Sequence, residues 1–160
     1  MIPLSRRKTS RWGQGSCPFA GTHARSRAPI APRRVERAGG IWSTGSLSTL
    51  ALAVDNSLQG KSWAIEFHLT PFLAPGHPAV TVELFANGRP VETKGFSGTS
   101  PEFRVWFVVL SKGIVNDNQR LELTLKVQSP ASPASLGLSS DLRPLGVMLH
   151  ELRLSPVAGS

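Results

Sequence analysis

Leu121-Glu122-Leu123-Thr124-Leu125-Lys126-Val127 alternates apolar and polar side chains without a break. Successive side chains of an extended chain point to opposite faces, so the four apolar residues share one side and Glu122, Thr124 and Lys126 the other. This is the pattern of a strand with one face in a core and one in water. Toward the N-terminus the same period of two recurs in Leu50, Leu52 and Val54, in Trp63, Ile65, Phe67 and Leu69, and in Val80, Val82, Leu84 and Ala86. No stretch of this region demands the 3.6-residue period of a long helix.

Phe103 to Leu110 is more continuously apolar. Phe103, Val105, Phe107 and Val109 share one parity and Trp106, Val108 and Leu110 the other, which predicts a central strand covered on both faces. Gly146 to Leu154, between Pro144 and Pro156, predicts a closing strand. Asn87-Gly88 predicts a tight hairpin between Val80–Ala86 and Pro90–Lys94, because these two residues tolerate positive φ. Pro- and Gly-containing loops fall at 71–78 and 95–101, with short helical turns expected near 132–136 and 110–114. The expected fold is all-β: a jelly-roll-like antiparallel β-sandwich of about seven or eight strands.

Charge divides the chain of 160 residues, which has room for one ordinary domain. Residues 1–39 hold nine Lys or Arg and one acid, whereas 40–160 hold nine of each. The net charge of +8 therefore resides in the N-terminal segment, and the remainder offers no case for specific nucleic-acid binding. Rich in Arg, Pro, Ser and Gly, residues 1–39 predict a disordered basic arm, with the sandwich domain at 40–156 and a flexible tail at 157–160. The arm resembles a transit peptide in composition but lacks its amphipathic stripe, and an incidental upstream extension is the favoured reading. There is no apolar run of signal-peptide or transmembrane type, so the expectation is a soluble chain. Cys17 is the sole cysteine, so no internal disulfide can form.

Several short pieces carry a resemblance: IWSTG at 41–45, HLTPFLAP at 68–75, NGRP at 87–90, and SPASLGLSSDLRPLG at 132–146. Together, over roughly Gly40 to Ser155, they resemble a jelly-roll β-sandwich domain found at the C-terminus of bacterial glycosyltransferases and membrane proteins of surface-polysaccharide synthesis. The most specific is the S-P-x-x-L-G-x-S-x-D-x-R-x-L-G string. The resemblance implies an accessory domain, with carbohydrate contact inferred from context. Members of that group carry a further Trp-containing segment ahead of the W-S-x-G piece. Here the basic arm occupies its place, which implies a missing initial strand and a missing part of a binding face.

Four residues are the candidate carbohydrate-binding set. Trp42, near a domain edge, and Trp106, on the parity opposite Phe103, can offer an indole face to a sugar ring. Asp141 and Arg143 can hydrogen-bond a sugar hydroxyl or, by the stronger reading, staple the loop before the last strand. His68, His77 and His150 and most of the carboxylates are expected on solvated surface, with no spacing that specifies a metal site or a cofactor. No nucleophile elbow or phosphate loop occurs, and a cross-strand carboxylate pair is the one catalytic arrangement that spacing leaves open. The expected function is a non-catalytic accessory module with a glycan, a glycosyltransferase or an envelope protein as partner. The alternatives are a purely structural protein-interaction module or a fragment of a larger glycosyltransferase.

Overall fold

A computed structural model of the protein describes residues 33–54, 60–114 and 120–157. In chain order the strands are β1 (Arg33–Thr44), β2 (Leu47–Ala53), β3 (Trp63–Pro71), β4 (Ala79–Ala86), β5 (Arg89–Ser97), β6 (Arg104–Leu110), β7 (Arg120–Gln128) and β8 (Leu145–Pro156). They form two four-stranded sheets, a front sheet in the order β1-β8-β3-β6 and a back sheet in the order β2-β7-β4-β5. Every pairing is antiparallel. Apart from the β4–β5 hairpin, each connection carries the chain from one sheet to the other, which is the winding of a jelly roll.

The alternating strands build the core as their parity requires. Ile65, Phe67 and Leu69 of β3 meet Val82 and Leu84 of β4, Leu121 and Leu123 of β7 and Leu152 of β8 in one buried cluster. Each such side chain contributes about 1.5–3 kcal/mol relative to exposure. At the head of β8, Gly146 lets the sheets approach closely: a Cβ there would lie 2.6 Å from Val127 Cγ2 and 2.8 Å from Ser43 Oγ. Ser43 Oγ accepts the Val147 N–H at 2.9 Å, so this close approach leaves no polar atom stranded.

The Asn87-Gly88 hairpin forms as expected, with φ of 48° and 76°. Asn87 also acts beyond the turn. Its side-chain amide donates to the Ile114 carbonyl at 2.7 Å, and its side-chain oxygen accepts the Glu122 N–H at 2.8 Å. A 3-10 turn at Ala134–Leu136 falls within the expected helical segment.

Two expectations need correction. First, β1 begins at Arg33, inside the segment read as a basic arm, and pairs with β8 from Arg33↔Leu154 onward. An initial strand thus stands where one was expected to be missing. The rest of the arm, 1–32, lies outside the described residues, as do 158–160 of the tail, while Val157 N–H donates to the Ser62 carbonyl at 3.1 Å. Second, β6 is an edge strand rather than a central one. Pairing with β3 sets Val105 opposite His68 and Phe107 opposite Glu66, so the Phe103 parity faces outward and Trp106, Val108 and Leu110 fill the core. Both parities of β6 are apolar, and only the register with β3 decides between them.

Candidate functional site

The outer face of the front sheet departs most from an ordinary polar surface. β3 presents Glu66, His68 and Thr70, the last largely buried beneath its neighbours. In β8 the register shifts between His68↔Glu151 and Leu69↔Leu149, leaving His150 as an extra residue. Such a bulge turns consecutive side chains toward one face, here His150 beside Glu151. β6 and the residue before it add Phe103, Val105, Phe107 and Val109, and β1 adds Trp42 opposite Met148.

Phe103 is the centre of this face. It is 54% exposed, and its ring lies 5.6 Å from the His68 imidazole and 5.8 Å from that of His150. Thr70 Oγ1 and His150 Nε2 share a hydrogen bond of 2.9 Å. His68 Nε2 is hydrogen-bonded to Glu66, and its Nδ1 lies 4.0 Å from Glu151 Oε2. Arg153 closes the group, with Nη2 donating to Glu151 Oε2 at 3.1 Å and Nη1 lying 3.6 Å from Glu66 Oε1. The hydrogen bonds that Arg153 donates to Glu151 raise the pKa of its guanidinium. Glu151 is only 8% exposed, and a carboxylate so buried requires paired cations and donors to stay ionised.

Toward β1 the face ends on a second aromatic group. Trp42, half-buried, stands edge-on to Phe72 at 5.8 Å, and Phe72 lies 6.1 Å from the ring of His77. Gly40, at φ of 68°, makes room between these groups. A Cβ at this position would lie 2.7 Å from Met148 Cγ and 3.1 Å from His150 Nδ1.

Of the four residues singled out by sequence, only Trp42 lies on this face. Trp106 is 2% exposed, with its ring 5.3 Å from Phe67 and its Nε1–H donating to Glu92 Oε1 at 2.9 Å, so it is a satisfied core indole with no face to offer a ligand. Asp141 and Arg143 chelate each other. Arg143 Nη2 donates to Oδ2 at 2.7 Å, Nε to Oδ1 at 3.0 Å, and the Arg143 backbone N–H also to Oδ1 at 3.0 Å. These bonds hold the Asp141 carboxyl down at about 2, and the Asp141 carbonyl accepts the Ala134 N–H at 2.9 Å. Their geometry is that of a loop staple.

His68, His150, Glu66 and Glu151 were expected to be dispersed and solvated, whereas the β3–β8 ladder gathers them. The Glu66-x-His68-x-Thr70 alternation was the available signal, marking one strand face as polar and hydrogen-bonding. Glu66 and Glu151 do not face each other across the ladder: Glu66 stands opposite Arg153 and Glu151 opposite His68, and both carboxylates are engaged by that cation and that imidazole. Among the described residues, no group of three His, Cys, Asp or Glu is placed to hold a metal ion. A cleft of about 300 Å³ opens between the sheets on the β1–β2 side, lined by Trp42, Ile41, Leu50, Phe67, Leu125 and Leu149 among others. Among the described residues, no helix is long and apolar enough to cross a membrane.

No family model and no curated protein matches the chain. Among solved structures it is similar to latent PorU from Porphyromonas gingivalis, at 12% identity and a TM-score of 0.53, over 85% of this chain and 13% of that one. The chain thus spans a small part of that protein, and the likeness extends to the fold alone. Weaker superpositions include the CBM36-1 domain of a multidomain xylanase from the hindgut metagenome of Trinervitermes trinervoides, at 12% identity and a TM-score of 0.43, over 81% of this chain and all of that domain. Another is the C-terminal domain of EclA, a sugar-binding protein, at 15% identity and a TM-score of 0.44, over 80% and 81%. These two carry no weight for function.

Proposed function

We propose that the protein is a non-catalytic accessory β-sandwich module that binds a glycan on the outer face of its front sheet. One observation carries the reading: the exposed ring of Phe103 sits between two imidazoles, within a group that also holds a hydroxyl, two carboxylates and a guanidinium. A flat apolar ring supplies stacking area for a pyranose, and the surrounding donors and acceptors match its hydroxyls. Trp42 supplies a second aromatic flank. An assignment to bacterial cell-surface polysaccharide synthesis, with a glycosyltransferase or envelope protein as partner, is supported by the resemblance of the motifs between Gly40 and Ser155.

Glycan-array screening followed by calorimetric titration of the full chain tests the reading. Phe103→Ala should weaken binding by about tenfold or more while keeping the unfolding midpoint, with Trp42→Ala acting in the same direction on affinity. Arg143→Ala should leave affinity unchanged and lower the midpoint. Absence of binding to every surface polysaccharide presented would overturn it. The apolar row of β6 favours a second reading, in which the sheet also serves protein association.

A further inference from the structure

We infer that the chain forms a two-fold homodimer by pairing β6 with β6 of a second copy, giving a continuous eight-stranded front sheet. β6 ends its sheet, so the backbone N–H and C=O groups on its free side have no ladder partner. Folded proteins protect such edges with bulges, prolines, charges or short, small-residue strands. β5 carries Pro90, Glu92 and Lys94 and a register shift against β4. β1 breaks register twice against β8. β2 is regular but turns outward only one large apolar side chain, Leu47, with Thr49, Ala51 and Ala53. Among the described strands, β6 alone combines an edge, an unbroken register and a row of large apolar side chains. Val105, Phe107 and Val109 in that row are 41%, 63% and 61% exposed.

The occupant follows from the symmetry of this row. With Phe107 on a two-fold axis normal to the sheet, an antiparallel pairing sets Phe107 against Phe107 and Val105 against Val109 on both sides of the axis. Like meets like in shape, as a self-complementary interface requires. Glu102 and Lys112 lie two residues beyond the two ends of β6, Lys112 in the turn that follows it, so the same register brings opposite charges near each other at both ends. Within one chain the exposed Glu102 carboxylate lies 2.6 Å from Arg104, which places its charge at the end of β6. A partner of other sequence could cover the apolar row, but the mirrored valines and the Glu102–Lys112 match commit the edge to a second copy of this chain. The dimer requires no glycan, and it would set two Phe103-centred groups on one continuous surface.

Sedimentation equilibrium of the full chain over a wide concentration range tests this. The expected result is a monomer–dimer equilibrium that Phe107→Glu abolishes, weakening association more than about a hundredfold because two carboxylates would meet on the axis. Phe107 is exposed in the single chain, so at concentrations where the parent is monomeric this variant should keep its unfolding midpoint. Glu102→Lys should weaken the dimer by about tenfold, and adding Lys112→Glu should restore it. A chain that stays monomeric at every concentration, or a dimer that survives Phe107→Glu, would overturn the inference. A dimer indifferent to Glu102→Lys would overturn the register on which the choice of partner rests.

Discussion

The two outer faces of this sandwich each rest on four antiparallel strands and differ in almost everything else. The back sheet shows water Thr81, Glu83, Thr124, Lys126 and Gln128, with Glu83 accepting from Lys126 at 3.1 Å and from Gln128 at 2.6 Å. These bonds lower the pKa of Glu83, first through Gln128 and then Lys126, and such exposed pairs contribute little to stability. The front sheet shows aromatic rings, imidazoles, a buried carboxylate and an apolar row. Solubility alone accounts for the back sheet. The front sheet exposes apolar area and buries a carboxylate, neither of which solubility requires, and both favour the proposed binding role of this face.

Substitutions at adjacent positions of β6 give the largest test of this contrast. Measured at concentrations where the chain is monomeric, Trp106→Ala should lower the unfolding free energy by about 3–5 kcal/mol, whereas Phe107→Ala should change it by less than about 0.5 kcal/mol. Chemical denaturation of both variants checks the assignment, and similar losses would mean that the strand parity described above is wrong. A middle-sized effect is expected at the carboxylates. Glu151→Ala should cost about 1–3 kcal/mol through the partners left buried, while Glu83→Ala on the back sheet leaves the thermal midpoint in place.

The smallest effect is expected at the loop that belongs to neither face. Asp141 ionises at about 2 in the folded chain against 3.8 ordinarily, so its contribution is present above pH 4 and fades as the pH falls toward 2. Melting curves between pH 5 and 2 should show a shallow decline with this origin, reduced in Arg143→Ala. A decline of unchanged size in that variant would assign the acid sensitivity to the two faces instead.

The contrast also explains how far the sequence could be read. β3, β4 and β7 were legible because a strand with one wet and one dry face writes its orientation into alternation, as Leu121 to Val127 does. β6 was not, since Phe103 to Leu110 is apolar on both parities and its orientation is set by hydrogen bonds to β3, a partner far away in the chain. That single ambiguity hid Phe103 among expected core residues and promoted Trp106 to a ligand candidate. β1 was missed for a different reason. Its first half is basic and poor in apolar residues, and it is a strand because β8 offers a ladder to it. The face itself required two long-range events, the β3–β8 register and the bulge that brings His150 beside Glu151. Asp141 and Arg143 sit two apart in a turn, and for so local a contact the stapling reading was available from spacing.

Gly40 has no side chain with which to touch a ligand, yet the space it vacates is occupied by Met148 and His150. A side chain there would have to displace Met148 and press on the imidazole that Thr70 holds and Phe103 leans on. In a random-mutagenesis screen scored by ligand capture, position 40 should therefore behave as if it were in the binding surface, with every replacement harmful and none rescued by similar chemistry. Inheritance of the face would then depend on keeping a blank at one place as much as on keeping its rings and charges.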